Sequence, residues 1–199
     1  NKMYDKETVS FYNNNVADYT NWSKNNSSFK LESKLISFIG SKCSIIDIGC
    51  GAGHSSIWFS ERVESVVALD PSSKMIERLS AFPKLEAIKG SILEIKKKNH
   101  FDGAWASFSL QHLKKEDQKK VYAVIYDILK TKGIFYLGIH KGENSYRDNL
   151  GRLYVPRKMQ ELREELQEIG FNIKDISVRE GLSFDKKPIE IMHIFCQKI

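Results

Sequence analysis

The sequence predicts an α/β fold: a doubly wound, mostly parallel seven-stranded sheet with an antiparallel hairpin at one edge and a helical N-terminal extension. Three observations carry this expectation. Five short apolar runs alternate with helix-patterned stretches from Ser44 onward. These runs are apolar nearly throughout, as parallel strands covered on both faces should be. Two final apolar runs, Phe171 to Val178 and Ile189 to Cys196, have no helix between them and so suit an antiparallel pair.

The elements follow in order. Ser28 to Ile39 carries Leu31, Leu35, Ile36, Phe38 and Ile39 on one helical face and is closed by Gly40. Ser44 to Ile48 is the first strand and runs into a glycine loop. His54 to Arg62 is the helix behind that loop. Ser65 to Asp70 is the second strand, and Ser72 to Phe82 is a helix with Ser72 or Ser73 as cap. Leu85 to Lys89, Ala104 to Phe108 and Ile134 to His140 complete the parallel set. Glu116 to Lys130 reads as a helix ending near Gly133, and Pro156 to Ile169 as one that opens on proline and stops at Gly170. Repeated β-α units impose a parallel sheet with helices on both faces. The expected organisation is one domain over 1–199: a helical lid over 1–42, a core over 43–140, and a substrate-side loop, helix and edge strands over 141–199.

The segment Asp47-Ile48-Gly49-Cys50-Gly51-Ala52-Gly53 is the most informative. Glycines at alternate positions clear side chains where strand turns into helix, so a flat ligand can lie on backbone amides. Asp70, at the end of the next strand, stands 19 residues beyond Gly51. A carboxylate at that distance can accept both hydroxyls of a ribose. The plain alternative is a tight turn followed by an acid before Pro71. A strand on each side and the spacing of Asp70 favour an adenosine-type cofactor. A dinucleotide fingerprint would need a third glycine at position 54, which is His54.

The loop instead reads DxGxGxG, which resembles motif I of the class I S-adenosylmethionine-dependent methyltransferases, a group with a Rossmann-like fold. The resemblance continues through VALDPSSKMIERL (66–79), KGSILEI (89–95) and FDGAWASFSLQHL (101–113). It implies S-adenosylmethionine as cofactor and S-adenosylhomocysteine as product. Asp47 and the backbone at Gly49, Cys50 and Gly51 are then expected to hold the amino acid end. Asp70 takes the ribose, Met75 lies near the adenine, and Ile92 presents its N–H to the ring. Ser91 stands where such proteins usually place an aspartate; its hydroxyl accepts, but uncharged. Ala106 and Ser107 are expected on the cofactor face of the fourth strand. The wider likeness is to small bacterial methyltransferases of the tellurite-resistance-like or small-molecule kind.

Methyl transfer needs chiefly an acceptor held in line, so an acid-base residue is optional. His112 and His140 are the candidates, each with an ordinary core histidine as the alternative. Tyr12 and Tyr19, from an aromatic-rich N-terminus that resembling enzymes fold over the cofactor, are candidate acceptor contacts together with Phe108. The connection from Lys141 to Val155 is long for a loop, and Arg147 and Arg152 within it could clamp an anionic acceptor.

Composition narrows the field. A chain of 199 residues, 41% hydrophobic and 28% charged, is an ordinary globular one. No run of about 18 apolar residues is present, and Asn1 to Trp22 lacks the apolar core of a secretory signal. Cys43, Cys50 and Cys196 form no CxxC pair, so neither a disulfide framework nor a metal site is expected, and a cytoplasmic setting fits. The net charge of +6 favours anionic partners. Ala106-Ser107-Phe108-Ser109 replaces the [DNS]PP[YFW] motif of amine-methylating enzymes that act on bases and glutamine. The expected activity is therefore methyl transfer to a small molecule. The alternatives are an RNA methyltransferase, motivated by Lys96 to Lys98, and a cofactor-binding module without turnover.

Overall fold

The computed structural model describes residues 3–199. Three helices come first: α1 (Lys6–Asn14), α2 (Val16–Asn25) and α3 (Lys30–Ile39). Asp5 caps α1 by accepting the Thr8 N–H at 2.9 Å. The sheet then begins: β1 (Ser44–Ile48), α4 (His54–Ser60), β2 (Ser65–Asp70), α5 (Ser73–Glu77) and β3 (Leu85–Lys89). The chain returns across the sheet through β4 (Phe101–Ser107), α6 (Lys115–Ile128) and β5 (Leu129–Lys141). Two short strands, β6 (Tyr146–Arg147) and β7 (Leu153–Tyr154), precede α7 (Met159–Ile169). The chain closes with β8 (Phe171–Leu182) and β9 (Pro188–Lys198).

Seven strands lie in the order β3-β2-β1-β4-β5-β9-β8. The first five run parallel, and β9 is antiparallel to both β5 and β8. The expected doubly wound sheet with an antiparallel edge hairpin is therefore the observed one. Chain direction across the sheet reverses between β1 and β4. In open α/β sheets the crevice beyond the strand ends at such a point is where ligands bind.

Alternate side chains feed the two faces. Ile46, Ile48, Val67 and Leu69 pack with Val121, Ile125, Leu162 and Leu166 of α6 and α7. Ile45, Val66, Ala68, Trp105 and Tyr136 pack with Leu35 of α3 and Phe59 of α4. Each such aliphatic or aromatic side chain contributes about 1.5–3 kcal/mol when fully buried, so both faces hold the strand ends rigid.

Several boundaries depart from expectation, each for a local reason. Helix α6 stops at Ile128 because Leu129 already pairs with Phe101 in the sheet. The ladder then slips between Phe101 and Gly103, with Lys132 at φ 68 beside Gly133. Helix α7 starts at Met159, not at Pro156. The Pro156-Arg157 stretch is held extended along β5, with Arg157 N–H donating to His140 O at 3.0 Å and Gly142 N–H to Arg157 O at 3.1 Å. Only Ser73–Glu77 of the expected 72–82 helix is α-helical. The connection read as a loop carries the β6–β7 hairpin. The edge hairpin is longer than read, reaching Leu182 opposite Pro188. No helix among the described residues is long and apolar enough to cross a membrane.

Candidate active site

The glycine loop leaves β1 with Gly49, Gly51 and Gly53 at φ +71, +53 and +81. The N–H groups of Gly49 and Cys50 both donate to Leu69 O at 2.8 Å, tying the loop to the end of β2. Gly49 is required by close approach as well as by φ: a Cβ there would lie 2.2 Å from Ser109 Cβ. Ser109 is fixed in turn by its hydroxyl, which donates to Ile48 O.

Asp70 is buried at the mouth of this loop. Its carboxylate accepts the Gly51 N–H at 2.9 Å and the Ser72 N–H at 2.8 Å. Burial pushes its pKa up to about 6, against the lowering effect of the Ser72 and Gly51 hydrogen bonds. Asp47 lies beneath the loop and accepts the Ser56 hydroxyl at 2.6 Å. Burial, helped by the charges of Glu32 and Asp70, pushes its pKa up to about 7. Among the described residues neither carboxylate has an ion-pair partner.

A stability prediction follows from the sign of these shifts. Both folded-state carboxyls bind their protons more tightly than the usual 3.8. Their contribution therefore favours the fold at low pH and is lost as pH rises from about 4 through about 7. Asp47→Asn keeps an acceptor for Ser56 and removes the buried charge. It is expected to stabilise the protein at pH 8 by about 1–2 kcal/mol, or roughly 2–8 °C in Tm. The gain should vanish near pH 4. Thermal melts of both proteins across this range check it, and a lower Tm at pH 8 would contradict it.

Aromatic rings roof the site. Tyr12 meets Tyr19 edge-on at 4.9 Å, and Tyr19 meets Trp22 at 5.7 Å. Phe184, from the β8–β9 turn, closes over Phe11, Tyr19 and Trp22 at 5.8, 5.8 and 5.4 Å. The cavity beneath is about 70 Å³ and is lined by the glycine loop, Asp70, Met75, Ser107, Phe108 and the α1 side chains. Phe108 sits in the left-handed region at φ 56, held by its N–H donating to Gly138 O at 2.8 Å. A bulky non-glycine residue in that conformation is uncommon.

Arg152 is buried within this roof. Its guanidinium lies 4.9 Å from the Phe11 ring, 5.2 Å from Tyr154 and 5.5 Å from Phe184. Asp148 neutralises it, accepting from Nε at 2.9 Å with Nη2 at 2.7 Å. Arg147 grips Asp5 with both ends of its fork, at 2.9 and 3.0 Å. Both arginines expected to clamp an anionic acceptor are thus engaged by carboxylates of the chain itself. They brace the 141–155 connection and fasten it to α1.

His112 is held at both nitrogens. Nδ1 lies 2.6 Å from Leu153 O, which only accepts, so Nδ1 carries the proton. Nε2 is therefore a free lone pair, and the Tyr12 hydroxyl donates to it at 3.0 Å. Burial lowers the His112 pKa to about 4, keeping the ring neutral. His140 is likewise lowered to about 4 by burial, with the charges of His112 and Arg152 adding to this. Its ring stacks on Tyr154 at 5.0 Å and 7°.

Not every expected cofactor contact lines the cavity. Gly49, Gly51, Asp70, Met75 and Ser107 do, as do Tyr12, Tyr19, Phe108 and His112. Asp47, Cys50, Ile92 and Ala106 do not: Asp47 lies buried beneath the loop, Ile92 and Ala106 pack into one hydrophobic core, and Cys50 packs against the other. Ser91 is spent on a capping box: its Oγ accepts the Leu93 N–H at 3.2 Å, and its own N–H donates to Glu94 Oε2 at 3.0 Å. The pattern Ser91-Ile-Leu-Glu94 is the local signal for that role. Tyr4, Thr8 and Val9 of the α1 region also line the cavity. Their signal was the amphipathic spacing of α1; Phe184 had none beyond being an isolated aromatic in a polar turn.

The chain is similar in sequence and fold to known methyltransferases. Residues 45–133 match a family described as a methyltransferase domain. An uncharacterized methyltransferase of Staphylococcus carnosus (strain TM300) is 25% identical over 146 residues, 71% of this chain and 70% of that protein. The structure of Burkholderia thailandensis 1,6-didemethyltoxoflavin-N1-methyltransferase, with 1,6-didemethyltoxoflavin and S-adenosylhomocysteine bound, superposes with a TM-score of 0.79. It shares 18% identity, covering 96% of this chain and 87% of that one. A methyltransferase from Methanosarcina mazei gives a TM-score of 0.73 at 20% identity, covering 83% of this chain and 97% of that one.

Proposed function

We propose that this chain, a class I S-adenosylmethionine-dependent methyltransferase, acts on a small-molecule acceptor. The carrying observation is the roof: α1, α2 and the Phe184 turn enclose the glycine-loop cavity on the side where a macromolecule would have to dock. The Lys96 to Lys98 run supports the same reading. It leads into β4, at the opposite end of the parallel strands from the glycine loop. The methyltransferase of the Burkholderia complex, with its small bound acceptor, has a similar fold.

The residues present fit the cofactor. The backbone at Gly49 and Gly51 carries no side chain and lines the cavity, a buried carboxylate stands at the ribose position, and Asp47 beneath the loop accepts the Ser56 hydroxyl. When bound, S-adenosylmethionine supplies an electrophilic methyl group on a sulfonium. Asp70 takes the ribose hydroxyls, and Asp47 with the Gly49, Cys50 and Gly51 backbone holds the amino acid end. Met75 and Ile92 flank the adenine. Tyr12, Tyr19 and Phe108 surround the reacting centre and exclude water. Arg147 and Asp5 latch the 1–42 lid. The space of about 70 Å³ is small against the roughly 300–1,000 Å³ of ordinary ligand pockets, so the roof has to move to admit a nucleoside.

His112 holds its proton on Nδ1 against Leu153 O and presents Nε2 to the Tyr12 hydroxyl. A proton leaving the acceptor can reach Nε2 directly or through that hydroxyl, and positioned base catalysis of this kind contributes about 10²–10⁴-fold. S-adenosylhomocysteine release with fractionated cell extract tests the reading. Turnover is expected with the small-metabolite fraction, and turnover with the RNA or protein fraction alone would overturn it. With the active fraction, His112→Ala should lower kcat about 100-fold while S-adenosylhomocysteine affinity stays within about threefold. An unchanged kcat would remove His112 from the chemistry.

A further inference from the structure

Strand β8 is the last in the sheet and pairs on one side alone, with β9. The edge it leaves open is long: β8 has 12 residues, whereas β3 at the opposite edge has 5. An edge of that length presents a row of unpaired N–H and C=O groups to any other extended chain. The ladder shows which residues present them. Ser183 N–H donates to Lys187 O at 3.0 Å, and backbone direction alternates along an antiparallel pair. Register is regular from Asp175 to Leu182. Asp175, Ser177, Arg179 and Gly181 therefore turn their backbone groups to β9, and Ile176, Val178, Glu180 and Leu182 turn theirs outward. Among the described residues, these outward groups meet no partner beyond the β8–β9 ladder. Helix α7 covers one face at this end of the sheet, where Ile173 and Ile176 pack with Leu162 and Leu166. Further along, Val178 and Leu182 stay 40% and 65% exposed.

The side chains along this edge form a palindrome of opposite signs. Asp175-Ile176-Ser177-Val178-Arg179 reads acid, apolar, hydroxyl, apolar, base, and Lys174 and Glu180 extend the pattern outward. A second copy of β8, laid antiparallel about a two-fold axis at Ser177, sets Asp175 opposite the partner's Arg179. It also sets Ile176 opposite the partner's Val178. The backbone agrees with this register. The new hydrogen bonds fall on Ile176 and Val178, whose groups point outward, and Asp175 and Arg179 fall in the non-hydrogen-bonded pairs, where side chains come closest. Moving the axis by one residue either way leaves every one of these charges opposite an uncharged residue. Asp175 engages Lys34 through Oδ2 at 2.6 Å, and its Oδ1 has no hydrogen bond among the described residues. Lys174, Arg179 and Glu180 are exposed and form no ion pair among the described residues. Charges on an edge strand ordinarily guard it against pairing. A guard does not require opposite signs placed symmetrically about one residue.

We propose that β8 is a homodimer interface, in which two copies of this chain pair their β8 strands antiparallel about Ser177 and join their sheets into one. The contact is isologous, with each side supplying the same patch, and it does not depend on the cofactor or the acceptor. Sedimentation velocity of the full chain from about 1 to 200 µM is expected to show a monomer–dimer equilibrium, with a dissociation constant in the micromolar range. Arg179→Asp opposes like charges at both symmetric positions and should weaken the dimer at least tenfold. Asp175→Arg should do the same. An equimolar mixture of the two variants restores opposite charges at both positions, and should dimerise within about threefold of wild type. Val178→Pro removes an outward N–H without touching the β9 ladder and should leave a monomer. It decides the matter if Asp175→Arg, which also loses Lys34, melts as an unfolded chain. A wild-type chain that stays monomeric across the range overturns the proposal; the charges then guard the edge, or a strand of another protein takes it. A dimer unchanged in Arg179→Asp or Val178→Pro, or a mixture of folded variants that stays monomeric, overturns it as well.

Discussion

Gly49→Ala is expected to abolish measurable S-adenosylhomocysteine binding and to lower the Tm by about 5–10 °C. The added Cβ would lie 2.2 Å from Ser109 Cβ and 2.7 Å from Ser109 Oγ, atoms that cannot retreat while the hydroxyl is bonded to Ile48 O. An alanine at φ +71 adds about 1–2 kcal/mol of backbone strain. With the clash, the total reaches roughly 2–4 kcal/mol, and for a chain of this length each kcal/mol is worth about 2–4 °C. Relief requires the loop to swing away from β4, which removes the amide surface on which the ligand rests. Calorimetric titration and thermal melts check both parts. A variant with affinity and Tm near wild type would mean that the approach of Ser109 to Gly49 is not needed.

Asp70→Ala is the second large effect. Two hydrogen bonds from ribose hydroxyls to an ionised acceptor are worth about 1.5–3 kcal/mol each. The expected loss of S-adenosylhomocysteine affinity is therefore about 10²–10⁴-fold. The Tm of the free protein should change little, because losing the Gly51 and Ser72 hydrogen bonds is offset by removing a buried charge. The wild-type affinity carries its own signature. In the free protein Asp70 takes a proton at about pH 6, so affinity should be flat above that value. Below it, affinity should fall up to tenfold per pH unit as the accepting form is depleted. Asp70→Ala should lose this slope. An affinity within threefold of wild type, or a slope that survives the substitution, would remove Asp70 from the ribose contact.

What could be read from the chain and what could not divides by range. The glycine loop and Asp70 are local features: three glycines, a strand on each side and a fixed spacing determine where they meet. Parallel strands were legible because both faces are covered, so Ile45, Ile46, Val66 and Val67 are apolar in succession. Boundaries were less so. Leu129 continues a helical pattern until Phe101 claims it for the sheet, and Arg157 is drawn straight by His140. The arginines of the 141–155 connection read as free cations because their partners are set by tertiary structure. Asp5 is 142 residues from Arg147, and no pattern in the sequence joins them. Phe184 closes the roof from the tip of a hairpin whose reach depends on how far β8 and β9 stay paired. Ser91 was legible in part: the three-residue step to Glu94 marks a cap, and that role competes with any contact to adenine.

A nucleoside is expected to lie across the glycine loop beneath Tyr12 and Tyr19. A crystal structure of the chain with S-adenosylhomocysteine tests this most directly. The expected result is both ribose hydroxyls within about 3 Å of the Asp70 oxygens, with the sulfur facing Phe108 and His112. A nucleoside bound elsewhere, or a ribose turned away from Asp70, would contradict it.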